Sequence, residues 1–158
     1  MVPGVDLQNS TVEIGEPDYH HLIRVLRMRV GDPLVILDNQ GGAAHAEISA
    51  IGKRSLIARL GCAAKIAPEP PIHITVAQAL GKGDKFEQVI AHGTEIGASA
   101  FIPLVTERAI VRLTPKEAET KRMRWHLVAK GAVEQAGRIR IPPIASLQSL
   151  TELACRCK

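Results

Sequence analysis

Five groups of residues in this 158-residue chain have types and spacings that could do chemistry. Gly81-Lys82-Gly83-Asp84-Lys85 follows an apolar run and precedes a helical pattern. Backbone N–H groups at a strand-to-helix turn, with Lys82 and Lys85 beside them, can hold an anion. The spacing matches neither G-x-x-x-x-G-K-[ST] nor G-x-G-x-x-G, and a turn with glycine at its bend explains it equally well. Thr106-Glu107-Arg108 comes directly after a second apolar run. Ligands of open α/β sheets sit at the carboxyl ends of strands, although a neighbouring Glu–Arg pair also serves as a surface pair. Glu134-Gln135 and Arg138 close a long helical pattern, where an arginine is also favoured by the negative end of the helix dipole. His20, Arg24 and Arg27 recur at i, i+4 and i+7, a basic stripe able to reach consecutive phosphates or a base edge. Lys121, Arg122, Arg124, His126 and Lys130 form a basic run that reads either as phosphate-tracking or as a solvated helix face.

Other chemistries are not encoded. The chain has no Ser/His/Asp order, no paired catalytic carboxylates and no cluster at metal-ligand spacing. His20 and His21 are neighbours, but adjacent helical residues point in different directions, so a shared metal is not expected. Cys62, Cys155 and Cys157 are odd in number and lack a second zinc-type pair, which fits free thiols in a reducing cytoplasm. Tyr19, Phe86, Phe101 and Trp125 are the whole aromatic complement. That scarcity excludes an RNA surface built from several stacked aromatic platforms.

The elements that must position these groups follow from pattern and charge. Hydrophobic residues make up 46% and charged residues 23%, which suits a soluble protein with an aliphatic core. The longest stretch without a charged residue, 70–81, is too short to cross a bilayer, and no secretory signal is visible at the N-terminus. Residues 1–66 are neutral, so the formal net charge of +4 lies entirely in residues 67–158.

Glu16-Pro17 is expected to open a helix that Gly31 closes, with Tyr19, Ile23, Leu26 and Val30 on its buried face. Short strands at 34–37, 43–50 and 55–60, joined by glycine-rich turns, suggest a small β-barrel or curled sheet. Residues 67–71, Ala-Pro-Glu-Pro-Pro, form a stiff proline-rich linker and the domain junction. After it, Ile72–Leu80 reads as a strand covered on both faces, 83–97 as a helix and Ala100–Val105 as a second buried strand. Thr114-Pro115-Lys116-Glu117 is a capping box that starts a helix ending at Gly137, and Ile141–Leu147 is the expected third strand. Strand–helix–strand–helix–strand is the opening of a parallel α/β sheet. The residues alone therefore describe a soluble two-part protein with RNA-binding character.

These segments resemble a known family. HHLIRVLRMRVGD (20–32), followed by DNQGG (38–42), resembles the N-terminal barrel of ribosomal RNA small subunit methyltransferase E. QALGKGDKFEQVIAHGTEIGAS (78–99), IPLVTERAIVR (102–112) and VEQAGRIRIPPI (133–144) are similar to later segments of that family, in the same order. The resemblance implies an α/β fold with an N-terminal PUA-like RNA-binding β-barrel (1–66), the linker (67–71) and the first part of a SPOUT methyltransferase domain (72–158). It implies a cytoplasmic homodimer that uses S-adenosylmethionine, and no metal, to methylate N3 of a uridine in 16S ribosomal RNA. Such a site must favour the N3-deprotonated uracil and align N3 with the donor methyl, work done by positioning and electrostatics.

Carried over by position, Arg24 and Arg27 are the expected RNA contacts, and the stripe and the strand-to-helix turn add His20, Lys82 and Lys85 to them. Arg108 and Arg138 are the catalytic candidates, and Glu107, Glu134 and Gln135 their support. The Gly-Pro-Glu-Gly-Gly turn and the Leu-Arg-x-Glu-Thr-Ala segment that shape the family's donor pocket do not occur here. The expectation is a chain that stops before the main cofactor site, with a noncatalytic RNA-binding module or an inactive remnant as the competing readings. His92-Gly93 and Gly131 also depart from the family pattern, and each glycine weakens its helix by about 1 kcal/mol relative to alanine.

Overall fold

The computed structural model describes residues 1–107, 111 and 113–156. The chain divides into two compact units, Met1–Pro68 and Glu69–Lys158, at a point inside the proline-rich stretch.

In the first unit, β1 (Thr11–Ile14), β2 (Pro33–Leu37), β3 (Ala43–Ile51) and β4 (Leu56–Ala63) form an antiparallel sheet in the order β1-β4-β3-β2. Alternation puts Val12, Ile14, Ile36, Ala46, Ile48, Leu56 and Ala58 on one face, where they make the core with Tyr19. Of the barrel or curled sheet expected, the described residues form an open sheet, not a closed barrel. Its outer β2 edge is met by the N-terminal residues, with the Val2 amide donating to the Leu37 carbonyl at 2.9 Å and Gly4 to Asp38 at 3.3 Å. β1 lies at the opposite edge. The β2–β3 turn is shaped by Asp38, whose carboxylate accepts from the amides of Gln40 and Gly42 at 2.6 and 2.9 Å.

The first helix is shorter than its apolar periodicity suggests. α1 (Asp18–His20) runs directly into a π-helical turn, His21–Val25, after the cis Glu16–Pro17 bond. The Leu26 amide reaches back to His21 and the Met28 amide to Leu22. Arg27, at φ 56°, takes the left-handed position that Gly31 was expected to fill. The wider turn rotates the inward face, so Tyr19, Leu22, Ile23 and Met28 pack on the core while Leu26 and Val30 are exposed.

The second unit holds β5 (Thr75–Ala79), α2 (Lys85–Glu95), β6 (Ala100–Val105), α3 (Pro115–Ala136), β7 (Gln148–Ser149) and α4 (Leu150–Arg156). Its parallel sheet has the order β5-β6-β7. Because both crossovers step in the same direction, right-handed connections bring α2 and α3 to one face. There they pack on each other through an edge-on contact of Phe86 and Trp125, centroids 4.7 Å apart. The expected double cover of residues 72–80 is therefore not observed. Ile72, Ile74, Thr75 and Ala77 are exposed.

Thr114 caps α3 as expected, its hydroxyl accepting from the Glu117 amide while the Glu117 carboxylate accepts from the Thr114 amide at 2.8 Å. Gly137 ends the helix at φ 65°. The third strand falls later than expected. Residues 141–147 contribute only an isolated bridge at Ile144, and β7 forms at Gln148–Ser149. Pro142 and Pro143 have no N–H to donate, so a continuous ladder cannot start there. Among the described residues no helix is long and apolar enough to cross a membrane.

Candidate functional site

Parallel strands put their carboxyl ends on one edge, and two of the sequence-predicted groups meet there. β5 leads into Gly81–Lys85, β6 into Thr106–Glu107 and β7 into α4. A cleft of about 740 Å³ opens at this edge, lined by Val105, Thr106, Glu107, Leu113, Ser149, Leu150 and Thr151. Its walls are aliphatic, and its polar groups are the hydroxyls of Thr106, Ser149 and Thr151 and the carboxylate of the exposed Glu107. Arg108, the first catalytic candidate, lies outside the described residues. Lys82 and Lys85 are exposed on the neighbouring turn, with the Lys85 side chain folded against Gly81. Nothing would obstruct a side chain at Gly83, so its φ of 71° is the feature that calls for glycine.

The β7 side of the cleft was not among the groups expected from the residues. Ser149-Leu150-Thr151-Glu152 is a second capping box: the Ser149 hydroxyl accepts from the Glu152 amide at 3.2 Å, and Glu152 accepts from the Ser149 amide at 2.6 Å. That S-x-x-E pattern was the available signal. Among the described residues no three His, Cys, Asp or Glu side chains gather as a metal-binding group.

Arg138, the second catalytic candidate, sits elsewhere. α3 runs back against the strands, so its end reaches the amino-terminal edge of the sheet. There Nη1 of Arg138 donates to the carbonyls of Thr94 and Ala98 at 2.8 and 2.9 Å. Nε donates to the Glu69 carboxylate at 3.0 Å, and Nη2 bonds the same oxygen. The other Glu69 oxygen accepts from the amides of Ile139 and Arg140, both at 3.2 Å. The Arg138 side chain is only 11% exposed. Burial by itself would raise the Glu69 pKa, but Arg138 and the two amides outweigh it and leave the carboxyl below its ordinary 4.5. β6 separates this cluster from the cleft by about 20 Å at 3.3 Å per residue. Arg138 and the cleft are thus not brought together within the chain. Glu134 and Gln135 are exposed on the last turn of α3, Glu134 with a polar partner of its own.

In the first unit His20, Arg24 and Arg27 are all exposed, but they are not one helical stripe, because Arg27 lies past the helix end in the left-handed turn. Among the described residues none of the three is engaged in an ion pair or side-chain hydrogen bond. The long-helix run differs. Arg122 bonds Glu119 at 2.7 Å, Arg124 bonds Glu87 at 2.8 Å across to α2, and Lys130 has a partner. Much of that run is neutralised within the unit.

Comparison with known proteins agrees with this layout. An RNA methyltransferase PUA domain matches residues 14–61, and an RNA methyltransferase domain matches residues 68–158. Ribosomal RNA small subunit methyltransferase E of Bacillus subtilis is 36% identical over 146 residues, 92% of this chain and 57% of that protein. The Synechocystis protein of the same name is 36% identical over 137 residues, 87% of this chain and 43% of its own length. The chain spans about half the length of these curated relatives.

Two solved structures share the fold closely. One is the Neisseria gonorrhoeae ribosomal RNA small subunit methyltransferase E bound to S-adenosyl methionine, with a TM-score of 0.88 at 27% identity over 97% of this chain and 62% of that one. The other is a Legionella pneumophila methyltransferase in complex with the same cofactor, with a TM-score of 0.93 at 28% identity over 99% and 65%. With a family match covering the whole second unit and a PUA match in the first, this chain belongs to the RNA methyltransferase family that includes ribosomal RNA small subunit methyltransferase E.

Proposed function

We propose that the chain carries the RNA-binding unit and one side of the transfer centre of an S-adenosylmethionine-dependent methyltransferase acting on N3 of a uridine in 16S ribosomal RNA. The observation that carries this is the cleft at the carboxyl edge of the sheet, in a chain whose two units match the family's two domains in order. A ribosomal substrate makes the reaction cytoplasmic, and a second copy of the chain is the proposed partner in a homodimer.

The lining fits part of the donor. Val105, Leu113 and Leu150 suit the flat face of a purine, and the Glu107 carboxylate suits ribose hydroxyls, as acidic residues at strand ends do in other α/β sheets. When bound, S-adenosylmethionine supplies a methyl group on a positively charged sulfur. Arg108, one residue beyond Glu107, is proposed to pair with a uracil carbonyl oxygen and so favour the N3 anion; arginine suits this because it stays charged and bonds through a planar fork. Lys82 and Lys85 flank the same edge and are proposed to meet phosphate.

Arg138 is proposed as a positioning residue, since Glu69 and two carbonyls already hold its guanidinium, and Glu134-Gln135 belong to that end. Calorimetric titration tests this division. The chain is expected to bind 16S ribosomal RNA with strong salt dependence and S-adenosylmethionine only weakly. Tight, saturable donor binding would contradict the one-sided cleft, and salt-insensitive or absent RNA binding would contradict the first unit's role.

A further inference from the structure

The β3–β4 hairpin ends in a two-residue tip, Lys53-Arg54, closed by the Gly52 amide donating to the Ser55 carbonyl at 2.8 Å. Tyr19 is 5% exposed, and its O–H donates to the Gly52 carbonyl at 2.8 Å. The tip is thereby fixed one tyrosine side chain away from the turn that displays His20 and Arg24. Lys53 and Arg54 are exposed, and among the described residues neither is in an ion pair or a side-chain hydrogen bond. Arg24 and Arg27 share that state. Against these four permanent cations the same turn carries Glu16 and Asp18, so the patch keeps a positive excess in a unit whose net charge is zero.

We propose that Lys53 and Arg54 complete a phosphate-binding surface for RNA with Arg24 and Arg27, and that the Tyr19–Gly52 hydrogen bond keys the two halves together. This rests on the reading of the first unit as RNA-binding and names residues that the family resemblance did not supply. A hairpin tip and a helix end held by one buried bond can follow a backbone as a rigid pair, whereas two independent flexible segments lose entropy on binding. Uncommitted cations release counterions from the RNA without first giving up a protein partner.

The test is fluorescence anisotropy of the full chain with a fluorescein-labelled RNA hairpin carrying uridines in its loop, over a salt series. The Lys53→Gln/Arg54→Gln variant is expected to weaken binding about tenfold or more and to flatten the slope of log affinity against log salt by about 1.5. Tyr19→Phe, which removes the bond and no charge, is expected to weaken binding several-fold with the thermal transition retained. Arg122→Gln/Arg124→Gln on the paired face of α3 is expected to leave the slope in place. Wild-type affinity and slope in the tip variant, while Arg24→Gln weakens binding, would overturn this proposal and leave the RNA reading standing. No salt-dependent RNA binding by the unmodified chain, or tighter binding to polyglutamate, would overturn both.

Discussion

Gly93 and Gly131 both lie inside helices, and the sequence treats them alike, yet their surroundings predict opposite responses to alanine. Replacing a helical glycine by alanine removes unfolded-chain freedom and adds about 1 kcal/mol of stability where the new methyl meets nothing. At Gly131 nothing lies within 4 Å of the methyl position. Gly131→Ala should gain that full amount, which for a chain of this size raises Tm by about 2–4 °C. At Gly93 the methyl would stand 2.8 and 2.9 Å from two ring carbons of Phe101. Phe101 is 0% exposed, and its backbone is pinned by bonds to Pro143 and Ala145 on the far side. The ring cannot yield cheaply, and overpacking of this kind costs about 1–3 kcal/mol. Gly93→Ala should therefore be neutral to destabilising by about 2 kcal/mol after the propensity gain is deducted. The assay is thermal denaturation followed by circular dichroism, with Phe101→Leu and the double variant closing a cycle. A coupling energy favouring the double variant by about 1 kcal/mol or more is expected. Equal stabilisation at both glycines, or no coupling between Gly93→Ala and Phe101→Leu, would refute the packing argument.

Three further outcomes follow from the same geometry. Glu69→Gln leaves Arg138 buried without its charge partner and should cost about 2–4 kcal/mol by chemical denaturation. The pH dependence has a definite sign: the folded Glu69 pKa lies below its unfolded value, so the clamp's contribution is complete above the ordinary value of 4.5 and declines as pH falls through the lower folded value. Comparing the acid limbs of wild type and Glu69→Gln measures this, and parallel limbs would count against it. Arg27→Gly should move stability and function in opposite directions, since a non-glycine residue in the left-handed region costs about 1–2 kcal/mol; the variant is expected to melt higher and to bind RNA more weakly.

Much of this architecture was legible because local chemistry decided it. Thr114 to Glu117 announced a helix start that needed no tertiary help, Ala100–Val105 had one reading, and the three prolines of 67–71 marked the junction. What was not legible depended on partners distant in sequence. Glu69 looked like one more linker residue until the fold set it against Arg138, 69 positions away. The basic stripe failed at Arg27 because a π-turn shortened the helix, which side-chain periodicity does not encode. Segment charge was equally misleading. The second unit carries the net positive charge, but several of its cations are paired within the unit, whereas in the neutral first unit Arg24, Arg27, Lys53 and Arg54 have no ion pair or side-chain hydrogen bond among the described residues. The open barrel and the one-sided sheet share a cause: apolar alternation fixes which face of a strand is buried, not which edges meet.

Nucleoside mass spectrometry of 16S ribosomal RNA incubated with labelled S-adenosylmethionine tests directly whether the cleft serves methyl transfer to uridine N3. The enzyme is this chain joined to the remaining length of its Bacillus subtilis relative, with the unjoined chain in parallel. N3-methyluridine is expected as the sole new product of the joined protein, lost on Arg108→Ala, with little or no transfer by the unjoined chain. Methylation of another base or of another uridine atom would contradict that expectation.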